Sequence, residues 1–113
     1  MASKVRGRKR IIGGSTNVFA DLGYPDADER QTKLRLAHAI NTAIGEQKLA
    51  QSPAARRLGV SQPKISALAN YQLDGFSVER LMTFLTALDQ DVDIVIRRKP
   101  RSRGAARISV TAA

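Results

Sequence analysis

Gln62, Lys64, Ser66 and Asn70 fall on one side of a short segment with helical spacing, and together they offer amide, hydroxyl and ammonium groups with no acid among them. Groups of this kind suit hydrogen bonds to base edges and phosphates better than covalent chemistry. A glutamine can pair bidentately with adenine, and a lysine can reach guanine acceptors or a phosphate oxygen. The other side carries Ile65 and Leu68 at i, i+3 spacing, with Val60 behind them, and should face a core. An ordinary solvated helix face would look much the same, so the assignment depends on the elements around it.

Those elements are two short helices joined by a tight turn. Gly59 supplies the turn, because a positive φ costs little without a Cβ, and it separates an alanine-rich segment ending at Leu58 from a new start at Ser61. Ser61 is a good N-cap, Val60 and Ile65 are placed as a hydrophobic staple, and Pro63 falls in the first turn, where its missing N–H costs nothing. The start of the first helix is ambiguous between Ala50 and Ser52; Ser52 is the better cap chemically and would put Pro53 at the favoured first position. This pattern is how a DNA-reading helix is held out from a small domain. It makes Gln51, Ser52, Ser61, Gln62, Pro63, Lys64, Ser66 and Asn70 candidate DNA-binding residues, with Lys48, Arg56 and Arg57 as accessory phosphate contacts.

Charge is segregated along the chain. The formal net charge is +9, yet five cations lie in residues 1–10 and six in residues 97–107, leaving eight between them against ten acids. Within this mildly acidic middle, residues 48–71 contain Lys48, Arg56, Arg57 and Lys64 and no acid, a local cationic patch of the kind phosphate attraction requires.

Other function classes find little support. There is no cysteine and one histidine, His38, on a helical segment beside an apolar stripe, so a thiolate metal site is excluded and neither a His-rich site nor a Ser-His-Asp arrangement could be built without that one residue. With no Gly-rich phosphate loop and no metal-ligand spacing, an enzyme is the weakest reading, and no cofactor is expected. No apolar run approaches the roughly 18 residues a membrane span needs, and the basic start lacks the apolar stretch of a signal peptide, so a cytoplasmic, nucleoid-associated protein is expected. No Trp, two Tyr and three Phe disfavour a stacking platform for single strands.

Along the chain, residues 1–16 read as a basic, aperiodic arm, either a solubilising tail with nonspecific phosphate affinity or an arm for the minor groove. Residues 17–97 form the expected domain and 98–113 a basic tail. Val18, Phe19, Leu22 and Tyr24 make a small apolar cluster able to dock on that domain. Asp28 should cap a long helix running to about Gln47, with Leu36, Ala37, Ile40, Ala43 and Ile44 as its buried stripe and Leu49 anchoring the chain beyond it in the core. Asp74-Gly75 supplies a turn, and Ser77 caps a fourth helix with Phe76 and Leu81 as staple and Val78, Leu81, Phe84, Leu85 and Leu88 as its apolar face. The period then changes to two: Val92, Ile94 and Ile96 alternate as a short β-strand. A lone strand needs a partner edge, supplied by the same strand of a second chain or by another protein's sheet; the weak candidate near residues 107–111 lies beyond a Pro/Arg/Gly-rich linker. Pairing in a homodimer, through Val92, Ile94 and Ile96, would also supply the two-fold symmetry of half-site reading. The expected fold class is therefore all-α, four to five helices plus one C-terminal strand.

Three pieces resemble one group of proteins: Asn17-Val-Phe-Ala-Asp-Leu-Gly23, Leu58-Gly-Val-Ser-Gln-Pro-Lys-Ile-Ser-Ala-Leu68, and Gly75-Phe-Ser-Val-Glu-Arg-Leu81 with Ala87-Leu-Asp-Gln-Asp-Val-Asp-Ile-Val95. The middle piece alone indicates the broad lambda-repressor-like, Xre-type helix-turn-helix superfamily; all three together resemble its HigA-like antitoxins over roughly residues 17–97. The resemblance implies a dimeric repressor that binds double-stranded DNA at a palindromic operator in its own promoter and neutralises a small ribonuclease toxin of the RelE/HigB type. It places Gln51 as the glutamine that steadies the backbone contact, Gln62 and Lys64 at base-facing positions, and Asn70 at a phosphate. The chain departs from the group in having Ala50 where a capping Thr is usual and Pro53 where an acid is frequent. A stand-alone Xre-type regulator with no toxin, and a nonspecific architectural protein that binds nucleic acid through its basic ends, are the competing readings.

Overall fold

The computed structural model describes residues 23 and 25–112; the basic arm over 1–16 and the cluster of Val18, Phe19, Leu22 and Tyr24 lie outside the described residues. Among the described residues four helices run in order: α1 Ala27–Glu46, α2 Gln51–Leu58, α3 Gln62–Ala69 and α4 Val78–Ala87. The long α1 packs most extensively against α4, while α2 and α3 pack on each other and contact that pair. Leu36, Ala37, Ile40 and Ala43 of α1 meet Leu81, Phe84 and Leu85 of α4, with Ala54, Ala55 and Leu58 of α2 and Ile65 and Leu68 of α3 closing the core. Phe76 and Phe84 meet edge-on, ring centroids 5.9 Å apart, so the segment before α4 is anchored as firmly as the helix.

One helix start differs from the sequence expectation, and another takes one of the two caps left open. The N-cap of α1 is Asp26, and Asp28 sits inside the first turn with Glu29. The earlier start forms because the Arg30 N–H reaches the Asp26 carbonyl (3.0 Å) while the Arg30 guanidinium pairs with the Asp26 carboxylate (2.9 Å). Asp28 and Glu29 remain favourable there, facing the positive end of the helix dipole. For α2 the N-cap is Ala50, in extended conformation and with no side-chain cap, so Ser52 is a helical residue whose Oγ accepts from Arg56 Nη1 (3.2 Å). Pro53 still lies in the first turn, where its missing N–H leaves no bond unmade. Elsewhere the caps agree with expectation: Ser61 Oγ accepts from Lys64 N and Ser77 Oγ from Arg80 N.

All four of these helices end alike. Lys48, Gly59, Tyr71 and Asp89 each adopt a positive φ, and the next N–H returns to a carbonyl five residues back: Leu49 to Ile44, Val60 to Ala55, Gln72 to Ala67 and Gln90 to Leu85. This left-handed closure satisfies carbonyls that would otherwise be orphaned and turns the chain sharply. Only Gly59 adopts it without a Cβ.

Beyond Gln90 no strand forms among the described residues, so the expected strand at Val92–Ile96 carries no ladder in the single chain. Val92 and Val110 rest against the core, whereas Ile94 and Ile96 are 74% and 92% exposed. A turn closed by Arg103 N–H to Pro100 O (3.2 Å) separates the two arms of this segment, and Arg35 Nη1 donates to Val110 O (3.1 Å), tying its far end to α1. Burial, and then the like charge of Arg107, holds the Arg35 pKa below the usual arginine value.

The helix ends yield a direct stability prediction. Gly59→Ala should destabilise the fold by about 1–2 kcal/mol in urea unfolding, the cost of a Cβ in the left-handed region, whereas Lys48→Gly should leave stability unchanged or raise it by up to about 1 kcal/mol.

Candidate nucleic-acid interface

The arrangement of α3 is set by its two faces. Ile65 and Leu68 are buried, and Asn41 of α1 donates Nδ2 to the Leu68 carbonyl (3.1 Å), which fixes the axial position of α3 on the long helix. With that side held, Gln62, Pro63 and Lys64 are exposed, Ser66 is half-buried and Asn70 is exposed at the C-terminal end. The Ser61 hydroxyl is occupied as the cap (3.4 Å to Lys64 N), so its side chain defines where the helix begins. Gln62 opens α3 as Gln51 opens α2; both side chains are exposed, as the DNA-reading assignment requires.

The cations are more constrained than composition suggests. Lys64 Nζ lies 4.8 Å from the centroid of the Phe76 ring and donates to Gly75 O (3.3 Å), so its side chain is laid across the loop before α4. Arg57 donates Nε to Ala87 O (3.0 Å) and Nη2 to Asp89 Oδ2 (3.1 Å). Its charge therefore serves the C-terminal end of α4, where a cation complements the exposed carbonyls. Arg56 bonds Ser52, and Lys48 is exposed at the left-handed residue ending α1. Asn70 turns Nδ2 back onto Ser66 O (2.9 Å), capping α3.

Several positioning residues carried no sequence signal. Asn41 reads as a flanking polar residue of the α1 stripe, and its acceptor lies 27 residues away. Gln47 Nε2 donates to Leu88 O (2.7 Å) and joins the ends of α1 and α4 across 41 residues. His38 is exposed, with Nδ1 3.3 Å from Tyr71 Oη just beyond the end of α3. Val92 is half-buried and packed against the core, so of the three residues expected to pair across a dimer only Ile94 and Ile96 are freely presented.

Among the described residues no cluster of His, Cys, Asp and Glu could hold a metal, and no helix is long and apolar enough to cross a membrane. The arrangement can therefore present hydrogen-bonding side chains on a rigid helix beside cations held at its edges.

Comparison with known proteins agrees with this geometry. Residues 18–97 match the family described as a helix-turn-helix domain. A solved structure named as a putative XRE-family transcriptional regulator is similar with a TM-score of 0.75 and 72% sequence identity, over 79% of this chain and 100% of that one. No curated protein matches the chain. A match over most of the chain, joined to the Gly59 turn and the exposed face of α3, means that this protein belongs to the helix-turn-helix domain family and is of the XRE type.

Proposed function

We propose that this XRE-type, DNA-binding regulator is a homodimeric repressor that reads a palindromic operator with α3 and serves as the antitoxin of a type II toxin-antitoxin pair, in the cytoplasm and on the nucleoid. The observation that carries the operator reading is the exposed Gln62 at the start of a helix whose opposite face, Ile65 and Leu68, is locked in the core. A helix so held can enter the major groove with its N-terminal residues toward the bases. Gln51, Ser52, Ser61, Pro63, Ser66 and Asn70 would surround that contact, and Lys48, Arg56 and Arg57 would border it with positive charge. The neighbour named as a transcriptional regulator supports the same reading.

Dimerisation through residues 92–96 is supported by the exposure of Ile94 and Ile96, apolar side chains on an extended segment with no ladder in the single chain. Pairing this edge with its two-fold copy would bury both and place two reading helices about 34 Å apart, one turn of duplex. The toxin half of the reading rests on the resemblance of the three sequence pieces to HigA-like antitoxins. Its physical counterpart is an acidic stretch, either Asp21 to Glu29 or Asp89, Asp91 and Asp93, of which Asp89 already pairs with Arg57; either is suited to a basic partner by charge complementarity.

Three measurements separate the parts of this reading. On a duplex selected from a random pool by the wild-type protein, Gln62→Ala should weaken binding by about 1–3 kcal/mol and leave affinity for random duplex nearly unchanged. Equal loss on both would remove Gln62 as a reader. Ile94→Asp with Ile96→Asp should convert a dimer to a folded monomer in sedimentation, without a change in helical circular dichroism, since both side chains are exposed in the monomer. Co-expression with the neighbouring open reading frame, followed by a pull-down, tests the antitoxin role: a small basic protein that co-purifies and is lethal alone supports it, and a neighbour that neither binds nor harms leaves a stand-alone repressor.

A further inference from the structure

The position of Lys64 separates two roles that its place in the sequence leaves together. A lysine in the first turn of a reading helix can extend to a base or meet a phosphate. Here the ammonium lies over the face of the Phe76 ring at 4.8 Å and donates to the Gly75 carbonyl at 3.3 Å. Phe76 is itself only 5% exposed and packed against Phe84, so the aromatic platform does not move with the lysine. Gly75 is part of the same seat: a Cβ there would come within 3.2 Å of the Lys64 ammonium.

We infer that Lys64 is a phosphate clamp, seated on Phe76 and Gly75, that contributes to duplex affinity without reading a base; this rests on the operator reading proposed above and assigns a division of labour within it. To reach a base edge the side chain would have to leave both the ring and the carbonyl. To meet a phosphate it keeps them, because an ammonium has three N–H donors and acts as a point charge with little angular demand. Seating the chain in advance also removes rotamer freedom that an unconstrained lysine would lose on binding. Sequence discrimination then falls to the exposed neutral side chains, Gln62 foremost.

The test uses the full chain and the duplex selected from a random pool, together with a set in which each base pair of that duplex is changed singly. Lys64→Ala should weaken binding to every member of the set by the same factor, and should reduce the slope of log affinity against log salt by about 0.9 for each protomer contact removed. Gly75→Ala should shift the ammonium by a few tenths of an ångström and cost a small part of the same affinity, and the Gly75→Ala, Lys64→Ala pair should bind no more weakly than Lys64→Ala alone. Thermal melts confirm that each variant is folded. A Lys64→Ala loss concentrated at one base pair with an unchanged salt slope would overturn the clamp and make Lys64 a reader, and fully additive losses in the pair would remove Gly75 from the seat. If the wild-type pool yields no preferred sequence, the operator reading fails instead, an outcome distinct from either.

Discussion

The seating of α3 on α1 is the contact on which everything else in this molecule depends. Burial of Ile65 and Leu68 in the shared core stabilises the seating of α3 by about 1.5–3 kcal/mol for each side chain, against about 0.5–1.5 kcal/mol for the hydrogen bond from Asn41 of α1 to the Leu68 carbonyl. The apolar term thus holds the helix in place. The hydrogen bond, directional and at the end of α3, selects its axial register. Once both act, the opposite face has no freedom to turn inward, and Gln62 is presented whether or not a ligand is present. A surface built this way is preorganised, so a ligand that meets it does not have to order the helix that carries it.

Around that seat, most of the positive charge is already engaged. Arg57 serves the end of α4, Lys64 lies on Phe76, and Arg56 bonds Ser52. These are exposed interactions, individually weak in water. Their effect is positional: they set where charge sits on the rim of the helix-turn-helix and leave the centre of α3 to neutral hydrogen-bonding groups. Cations and neutral hydrogen-bonding groups are thereby kept on different parts of the surface, a separation that net charge alone does not reveal.

The C-terminal segment shows a local preference that tertiary structure has not completed. Alternation at Val92, Ile94 and Ile96 favours an extended chain, and the segment forms no helix, but a strand is a relation between two backbones. In the single chain Val92 packs on the core and Ile94 and Ile96 reach solvent. Exposed apolar side chains on an unpaired edge are a liability in an isolated molecule, which is the physical argument for a partner there.

Much of the fold was legible because its signals are local. Gly59, the Ser61 and Ser77 caps, the Asp74-Gly75 turn and the apolar periodicity of α1, α3 and α4 depend on neighbours within one turn, and the structure agrees with each. The start of α1, which differed, and that of α2, which took the chemically weaker of its two candidate caps, show where local chemistry is outweighed. Asp26 takes the cap of α1 because Arg30, one turn on, bonds both its carbonyl and its carboxylate, and α2 begins at Gln51 because the left-handed Lys48 and the Leu49 bond to Ile44 bring the chain there directly. Residue types and spacing alone determined which helices form and which side of α3 is polar, since both depend on period and caps. Only the tertiary structure decided that Asn41 sets the register of α3, that Gln47 joins α1 to α4, and that Lys64 and Arg57 are seated rather than free. Those partners lie between 11 and 41 residues away, and a hydrogen bond across such a separation has no signature until the core has brought the two groups together.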